Sequence, residues 1–228
     1  MVILWREARF ILKQGFEIAV PLTIWEEGGK TDIRVWPRLA PLARRCERRY
    51  RDNLFSDEAI AYLMAGASVY LAKKGYTVDP VVERREHILY SDGKERAIPK
   101  GIEAVPLSEE IIAENENLTE YDLPTTLAAG VVAYVVIDGG KIVSIASTNE
   151  PMEEGEVTEM EIGVETHPDH QGKGYGTACV TALTNRLLER KIHTKVHIEY
   201  DNTSSLRLFE KAGYTHAGRV MYIVGERR

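Results

Sequence analysis

Alternating apolar and polar positions predict strands in the first third of the chain, and apolar positions three or four residues apart predict helices. The predicted strands are residues 16–25 and 31–36, joined by a glycine-containing turn at 26–29. The predicted helices are residues 3–13, 38–53 and 59–74. Residues 79–86 combine Asp79-Pro80 with a charged run, which is typical of a linker. We therefore expect an N-terminal region at residues 1–85 and a second domain at residues 86–228.

Strands and helices alternate in the second domain. The predicted strands are residues 87–90, 102–107, 131–137, 141–148, 159–166, 194–200, 215–219 and 220–224. The predicted helices are residues 108–116, 177–191 and a short one between 201 and 213. The sequence Asp138-Gly139-Gly140 between two strands predicts a tight hairpin. Hairpins combined with strand–helix–strand connections predict an α+β fold with a mixed sheet.

A glycine-rich loop follows the strand at 159–166 and precedes the helix that begins at 177. Gly172, Gly174 and Gly176 alternate there, so backbone N–H groups can approach an anion at the start of the helix. Two other glycine motifs are excluded by spacing. A P-loop needs Ser or Thr directly after its lysine, and a dinucleotide fold needs its third glycine one position later. The pattern predicts a phosphate site of another kind.

Charge and composition narrow the function classes. Residues 1–85 carry 15 Lys or Arg against 11 Asp or Glu, and residues 86–228 carry 14 against 24. The acidic second domain must therefore hold an anion through local N–H groups and Lys173, and its field favours a cationic substrate. No apolar run approaches the ~20 residues that a bilayer span needs, so we expect a cytoplasmic protein with no membrane partner.

The two cysteines form neither a disulfide framework nor a metal motif, and we expect no metal. Cys179 lies among apolar helix positions and is predicted to be a buried core thiol. Five arginines give the helix at 38–53 a basic side; they are Arg44, Arg45, Arg48, Arg49 and Arg51. Nucleic acid is disfavoured as a partner because the next helix is too apolar for a groove. Tyr50 belongs to the apolar side of the arginine-rich helix, so no aromatic stacking position lies among the arginines.

The segment Gln171-x-x-Gly174-x-Gly176 resembles the acetyl-CoA pyrophosphate loop of the GNAT superfamily of N-acetyltransferases. Its surroundings resemble the family as well, with Pro168 before the loop and Val164 four residues before that proline. Downstream, the family spacing Asn-x-x-Ala-x-x-Leu-Tyr is matched by Asn202, Ser205, Leu208 and Phe209. The likeness is strongest over residues 157–218 and implies a mixed, mostly antiparallel sheet flanked by helices.

The resemblance implies acetyl-CoA as co-substrate, with its acetyl-pantetheine arm between two parallel strands that splay apart. These strands are residues 159–166 and 194–200. The residues that the family pattern assigns to this cofactor are Val164, Glu165, Thr166, Gln171, Gly172, Lys173, Gly174, Tyr175, Gly176 and Asn202. Backbone N–H groups near Val164–Thr166 would polarise the acetyl carbonyl whatever the side chains are.

The resemblance also suggests catalytic groups. Glu161 stands where many relatives have a glutamate that takes the amine proton, with Glu159 and Glu165 as rivals on the same strand. His197 occupies a second position for a base, and an imidazole can serve in that role near neutral pH. Many relatives use a tyrosine acid where this chain has Phe209. Tyr200, Tyr214 or water could protonate the thiolate in its place, or the thiolate could leave unassisted.

These observations predict an enzyme that transfers an acetyl group from acetyl-CoA to a primary amine of a small molecule or protein by direct attack. One alternative is a non-catalytic acyl-CoA-binding or sensor module, which Phe209 and the extra N-terminal region favour. The other is a nucleic-acid-associated regulator that uses the arginine-rich helix. Within residues 1–85, the segment 39–74 is expected to pack on the second domain and wall the acceptor side of the cleft, and a homodimer interface is the competing role.

Overall fold

The structure is a computed structural model and describes residues 1–4, 9–11, 17–51, 53–152 and 157–227, with only the backbone described at 9–11 and 78–85. The strands are β1 (Val2–Leu4), β2 (Arg9–Ile11), β3 (Glu17–Glu27), β4 (Lys30–Val35), β5 (Thr77–Ser91), β6 (Val105–Pro106), β7 (Glu116–Asn117), β8 (Ala133–Asp138), β9 (Lys141–Thr148), β10 (Glu159–Thr166), β11 (His193–Glu199) and β12 (Tyr214–Arg227). The helices are α1 (Ala40–Tyr50), α2 (Asp57–Lys73), α3 (Glu109–Glu114), α4 (Leu123–Ala128), α5 (Tyr175–Glu189) and α6 (Thr203–Lys211).

The chain divides into two compact units, Met1–His87 with Ala217–Arg228, and Ile88–His216. The first boundary lies close to the predicted one at residue 85, but the end of the chain differs from the expectation. Residues 217–227 belong to the first unit because they form most of β12, which pairs antiparallel with β3 from Gly218↔Glu27 to Arg227↔Glu17.

The first unit is a sheet covered by α1 and α2. β3 pairs antiparallel with β2, β4 and β12, and β1 pairs parallel with β4. The predicted turn between β3 and β4 is confirmed, with Gly28 and Gly29 at φ of 56° and 73°. Ser56 caps α2 by accepting a hydrogen bond from the Ala59 N–H at 3.2 Å. Both predicted helices after residue 37 are confirmed.

Two expectations for the first unit are wrong. Residues 3–13 were expected to be helical, but the described part forms β1 and β2, whose backbone groups pair with β4 and β3. Short apolar runs of this length fit the periodicity of a helix or of a strand, so pairing with neighbouring strands decides which of the two forms. Residues 79–86 were expected to be a linker, but their backbone lies within β5.

Tyr62 of α2 lies beside two arginines of α1. Its hydroxyl accepts a hydrogen bond from Arg45 Nε at 3.2 Å, and its ring centre lies 5.8 Å from the Arg49 guanidinium carbon.

The second unit contains a mixed, mostly antiparallel sheet with helices on both faces, as predicted. β6, β8, β9 and β10 pair antiparallel in that order, and β11 joins β10 in parallel. One face packs on α5 through a core that includes Ile162, Val196 and Leu183. The other face packs on α3 and α4 around a second core that includes Leu123 and Ile145. Helix α4 was not predicted, although Asp122 caps it and a proline opens it. No helix of the described residues is long and apolar enough to span a bilayer.

Candidate active site

The strand–loop–helix segment of the second unit has the predicted order. β10 is followed by a 3₁₀ turn at Pro168–His170 and then by Gly172 and Gly174, which have φ of 75° and 88°. These backbone conformations favour glycine. α5 begins at Tyr175 rather than at the predicted residue 177, so Gly176 lies in its first turn. A Cβ at Gly176 would lie 2.6 Å from Leu208 Cδ1, so glycine allows α5 to pack closely there.

The start of α5 presents backbone donors. The first bond of the helix is donated by the Ala178 N–H to the Gly174 carbonyl, so the N–H groups of Tyr175, Gly176 and Thr177 precede the intrahelical ladder. No described side chain caps this helix, whereas α6 is capped by Asn202, which accepts from the Ser205 N–H at 3.0 Å. Free donors together with the positive end of the helix dipole suit a phosphate group.

A cleft of about 780 Å³ adjoins these donors. The structure brings all ten predicted cofactor residues to its wall; they are Val164, Glu165, Thr166, Gln171, Gly172, Lys173, Gly174, Tyr175, Gly176 and Asn202. The structure shows where these ten residues lie, and their role in binding a cofactor stays a prediction. The residues present fit a diphosphate-bearing ligand, because the loop glycines keep side chains out of the space beside the α5 donors.

The cleft also contains residues that sequence reasoning missed. One face of α6 contributes Ser204, Arg207, Leu208 and Lys211, which stand at i, i+3, i+4 and i+7. Arg207 and Lys211 add two exposed cations to this wall. Helical periodicity counted from Asn202 could have identified this face, because the predicted short helix starts beside a predicted cofactor residue.

Lys173 in the loop is near a carboxylate from the β8–β9 hairpin. Asp138 Oδ2 lies 3.9 Å from Lys173 Nζ and 3.3 Å from His170 Nδ1. The Tyr175 hydroxyl donates to the same oxygen at 2.9 Å, and this hydrogen bond, with desolvation and the charge of Asp138, raises the pKa of Tyr175. The hairpin thus holds the loop in place and offsets part of the positive charge of Lys173.

The two parallel strands separate beside the cleft. β10 and β11 are paired from Glu159↔His193 to Glu161↔Lys195, although β10 continues to Thr166. Toward β9, the Glu161 carbonyl accepts from the Asn149 N–H at 2.9 Å. Because backbone groups alternate along an antiparallel strand, the N–H groups of Val164 and Thr166 point away from β9, toward the gap. This opening has the geometry in which an extended ligand arm can add to a strand.

The three glutamates of β10 have different partners. Glu159 is ion-paired with Lys195 Nζ at 2.5 Å, and Glu165 Oε1 accepts from the Glu120 N–H at 2.9 Å. Glu161 is half-buried at the last paired position, where its Oε1 accepts from Asn149 Nδ2 at 3.0 Å. Of the three carboxylates, Glu161 is therefore the one that stands at the mouth of the gap.

His197 and Glu161 do not line the cleft. Side chains alternate along strands, and Val196 and Ile198 face the core under α5, so the half-buried His197 lies on the opposite face. Glu161 shares that face, since Ile162 beside it is in the same core. The two candidate bases therefore lie on the face of the sheet opposite the cofactor cleft. The gap between β10 and β11 opens between these two faces.

Tyr214, a candidate acid, and Phe209, at the position where many relatives have a tyrosine acid, are both buried. Phe209 is 1% exposed and packs edge-to-face on Tyr214 with 5.0 Å between ring centroids. The Tyr214 hydroxyl lies within hydrogen-bond distance of Thr184 and Thr194, and burial raises the pKa of Tyr214 to about 12. A phenol so held in the core does not reach the cleft. Tyr200 is 54% exposed after β11.

Cys179, predicted to be a core thiol, is confirmed as fully buried, and burial raises its pKa to about 12. A thiol with so high a pKa is protonated at neutral pH and is a poor nucleophile. The buried position on α5 therefore gives this residue a packing role.

Comparison with known proteins agrees with this geometry. The model of the acetyltransferase (GNAT) family matches residues 103–214. No curated protein matches the chain significantly. The fold is similar to that of a GCN5-related N-acetyltransferase-like protein from Streptococcus suis 89/1591, with 17% identity, a TM-score of 0.53, and coverage of 98% of this chain and 89% of that chain. A GNAT-family acetyltransferase from Colwellia psychrerythraea is also similar, with 12% identity, a TM-score of 0.51, and coverage of 96% and 84%. Residues 103–214 therefore form an acetyltransferase domain of the GNAT family.

Proposed function

We propose that this protein transfers the acetyl group of acetyl-CoA to a primary amine by direct attack. One observation supports the proposal above all: the glycine loop and the uncapped start of α5 line one cleft together with Val164–Thr166, the part of β10 that extends past its pairing with β11. Phosphate donors at one end of a cleft and strand N–H groups at the other suit a ligand with a diphosphate and an extended thioester arm. The acceptor is a small molecule or a protein amine, and a cytoplasmic location stays a prediction.

Each part of the site has a role in this proposal. The N–H groups of the α5 start and the Lys173 side chain would hold the pyrophosphate, and Arg207 and Lys211 would add positive charge along the same wall. N–H groups of β10 that face the gap, at Val164 and Thr166, would orient the arm. Acetyl-CoA supplies an acetyl thioester that an amine can attack.

Glu161 is proposed as the general base, directly or through water. The amine nitrogen bonds to the acetyl carbon as the carbon–sulfur bond breaks, and the amine gives one proton to the Glu161 carboxylate. The thiolate that leaves takes a proton from solvent, since the Tyr214 phenol lies buried between threonines. His197 is the second candidate base. A loss of turnover in His197→Ala with none in Glu161→Gln would reverse this ranking.

Turnover of a defined amine panel tests the proposal. The purified protein is incubated with acetyl-CoA and each of ethanolamine, hexylamine, cadaverine, spermidine and a lysine-containing peptide, while free thiol is measured and acetylated product is identified by mass spectrometry. We expect at least one amine to yield acetyl-amine and CoA in equal amounts. Binding of acetyl-CoA with no product from any amine would contradict the proposal.

A non-catalytic acyl-CoA-binding module is the second candidate function, and the position of Phe209 favours it. The residue that stands in place of the expected acid is buried and has no hydroxyl. That account predicts tight acetyl-CoA binding without turnover in the same panel. The nucleic-acid alternative predicts binding of duplex DNA or RNA that weakens steeply with added salt.

A further inference from the structure

Polar side chains cover the face of β10 that points away from α5, around Gly163. Val164, next to Gly163, faces α5, since a Cβ at Gly176 would lie 3.5 Å from its Cγ2. Gly163 therefore points to the other side of the sheet. A Cβ at Gly163 would lie 3.3 Å from Asn149 Oδ1 and 3.3 Å from the Tyr121 hydroxyl oxygen. Two oxygen atoms from separate segments thus converge over a residue with no side chain.

The Glu161 carboxylate supplies a third oxygen beside them. Asn149 Nδ2 donates to Glu161 Oε1 at 3.0 Å, and the Asn149 backbone N–H donates to the Glu161 carbonyl at 2.9 Å. Because the amide nitrogen is committed to the carboxylate, the amide oxygen is directed at Gly163. Asn149 therefore orients Glu161 and adds an acceptor of its own.

Tyr121 is held in place by contacts that do not involve its hydroxyl. Asn117 Nδ2 donates to the Tyr121 carbonyl at 2.9 Å, and the neighbouring Glu120 N–H is bonded to Glu165. The ring packs against the core formed with Leu123. Among the residues that the structure describes, none shares a hydrogen bond with the Tyr121 hydroxyl. The hydroxyl can therefore serve a bound molecule without any loss to the fold.

We propose that Tyr121, Asn149 and Glu161 form the acceptor site for a primary amine, centred on Gly163; this inference rests on the proposed acetyl transfer. A primary ammonium has three N–H bonds, and three oxygen acceptors converge here. Glu161 takes the proton that makes the ammonium a neutral nucleophile, whose two N–H bonds stay on Asn149 Oδ1 and the Tyr121 oxygen. When the nitrogen bonds to the acetyl carbon and the carbon–sulfur bond breaks, the second proton passes to water, from which the leaving thiolate is protonated. A secondary amine offers one N–H fewer and places carbon against an oxygen, so the site selects primary amines.

The test uses hexylamine and N-methylhexylamine as the reference pair, together with any other primary amine of the panel that is acetylated and its N-methyl derivative. Tyr121→Phe keeps the packed ring and removes only the hydroxyl. We expect it to raise KM for the primary amine about 3- to 10-fold, the effect of losing one hydrogen bond, with kcat changed less than about twofold and acetyl-CoA affinity unchanged. Asn149→Ala should raise KM and lower kcat together, since it also releases Glu161.

Two further variants sharpen the result. Gly163→Ala should raise KM for the amine, because its methyl group enters the space between the two oxygens. Tyr134→Phe is the matched control, since Tyr134 packs on the α5 side of the sheet and should leave KM unchanged. Wild-type enzyme should favour the primary amine over its N-methyl derivative, and Tyr121→Phe should narrow that preference.

The outcomes separate this inference from the proposed function. Turnover with unchanged KM in both Tyr121→Phe and Asn149→Ala would overturn the acceptor site while leaving acetyl transfer intact. Equal use of the primary amine and its N-methyl derivative would also overturn it. Acetyl-CoA binding without turnover of any amine would reject both.

Discussion

A matched pair of substitutions at Gly172 tests the phosphate loop. Gly172 has φ of 75°, and a Cβ there would meet no atom within 4 Å. Asn and Asp both tolerate this left-handed conformation and have nearly the same size, so Gly172→Asn and Gly172→Asp should disturb the fold similarly. They differ by one negative charge on the wall of the cleft. Their difference in affinity therefore isolates the electrostatic effect.

The size of that effect follows from the position of the loop. A carboxylate about 4 Å from one phosphate charge costs about 1 kcal/mol in water and about 4 kcal/mol at an effective dielectric constant of 20. The cleft is open to solvent and Lys173 is adjacent, so a value of about 1–3 kcal/mol is appropriate. Gly172→Asp should thus bind CoA about 5- to 150-fold more weakly than Gly172→Asn.

Isothermal titration calorimetry with CoA at low and high salt measures this difference. The difference in CoA affinity between the two variants should decrease as salt is added, because an exposed charge is screened. Circular dichroism establishes that both variants are folded. Equal Kd values for Gly172→Asp and Gly172→Asn would refute the assignment of this loop to the pyrophosphate.

Other predictions concern single residues. Glu161→Gln should lower kcat about 10²- to 10⁴-fold in the amine assay with CoA affinity unchanged. The control is Glu159→Gln, because the Glu159 carboxylate is paired with a lysine and is not proposed as the base. Equal losses in both variants would refute the role of Glu161 as general base. Arg207→Ala and Lys211→Ala should each weaken CoA binding and make it less salt-dependent, and unchanged titrations would place the ligand elsewhere. The buried Tyr214 has a raised pKa, so the folded state keeps its proton while the unfolded chain ionises above pH ~10. Stability should therefore fall by up to about 1.4 kcal/mol per pH unit between pH ~10 and about 12, and denaturant titrations should show that Tyr214→Phe lacks this fall.

The strand–loop–helix segment could be predicted because its signals are local. The bounds of β10 were predicted as they stand in the structure, since turn residues follow it directly. Gly172 and Gly174 have the backbone conformations that the loop requires. Gly176 was predicted to lie in the loop, but it lies in the first turn of α5. A glycine is needed there because a side chain would collide with Leu208. That contact depends on tertiary packing, which no local pattern records.

Other features depended on distant partners and were missed or mistaken. The segment at residues 3–13 is too short for its periodicity to separate helix from strand, and pairing with β3 and β4 decides the matter. Residues 79–86 have the composition of a linker but extend as part of β5. Tyr121 and Asn149 gave no signal, because the loop that carries Tyr121 meets β10 only in the folded unit.

A crystal structure of the protein with bound CoA would test the central claim most directly. The account predicts a diphosphate within hydrogen-bond distance of the N–H groups at the start of α5. The pantetheine arm should lie along Val164 and Thr166, and its sulfur should end in the gap between β10 and β11 near Gly163. CoA bound elsewhere on the protein, or bound here with its sulfur turned away from Glu161, would contradict the account.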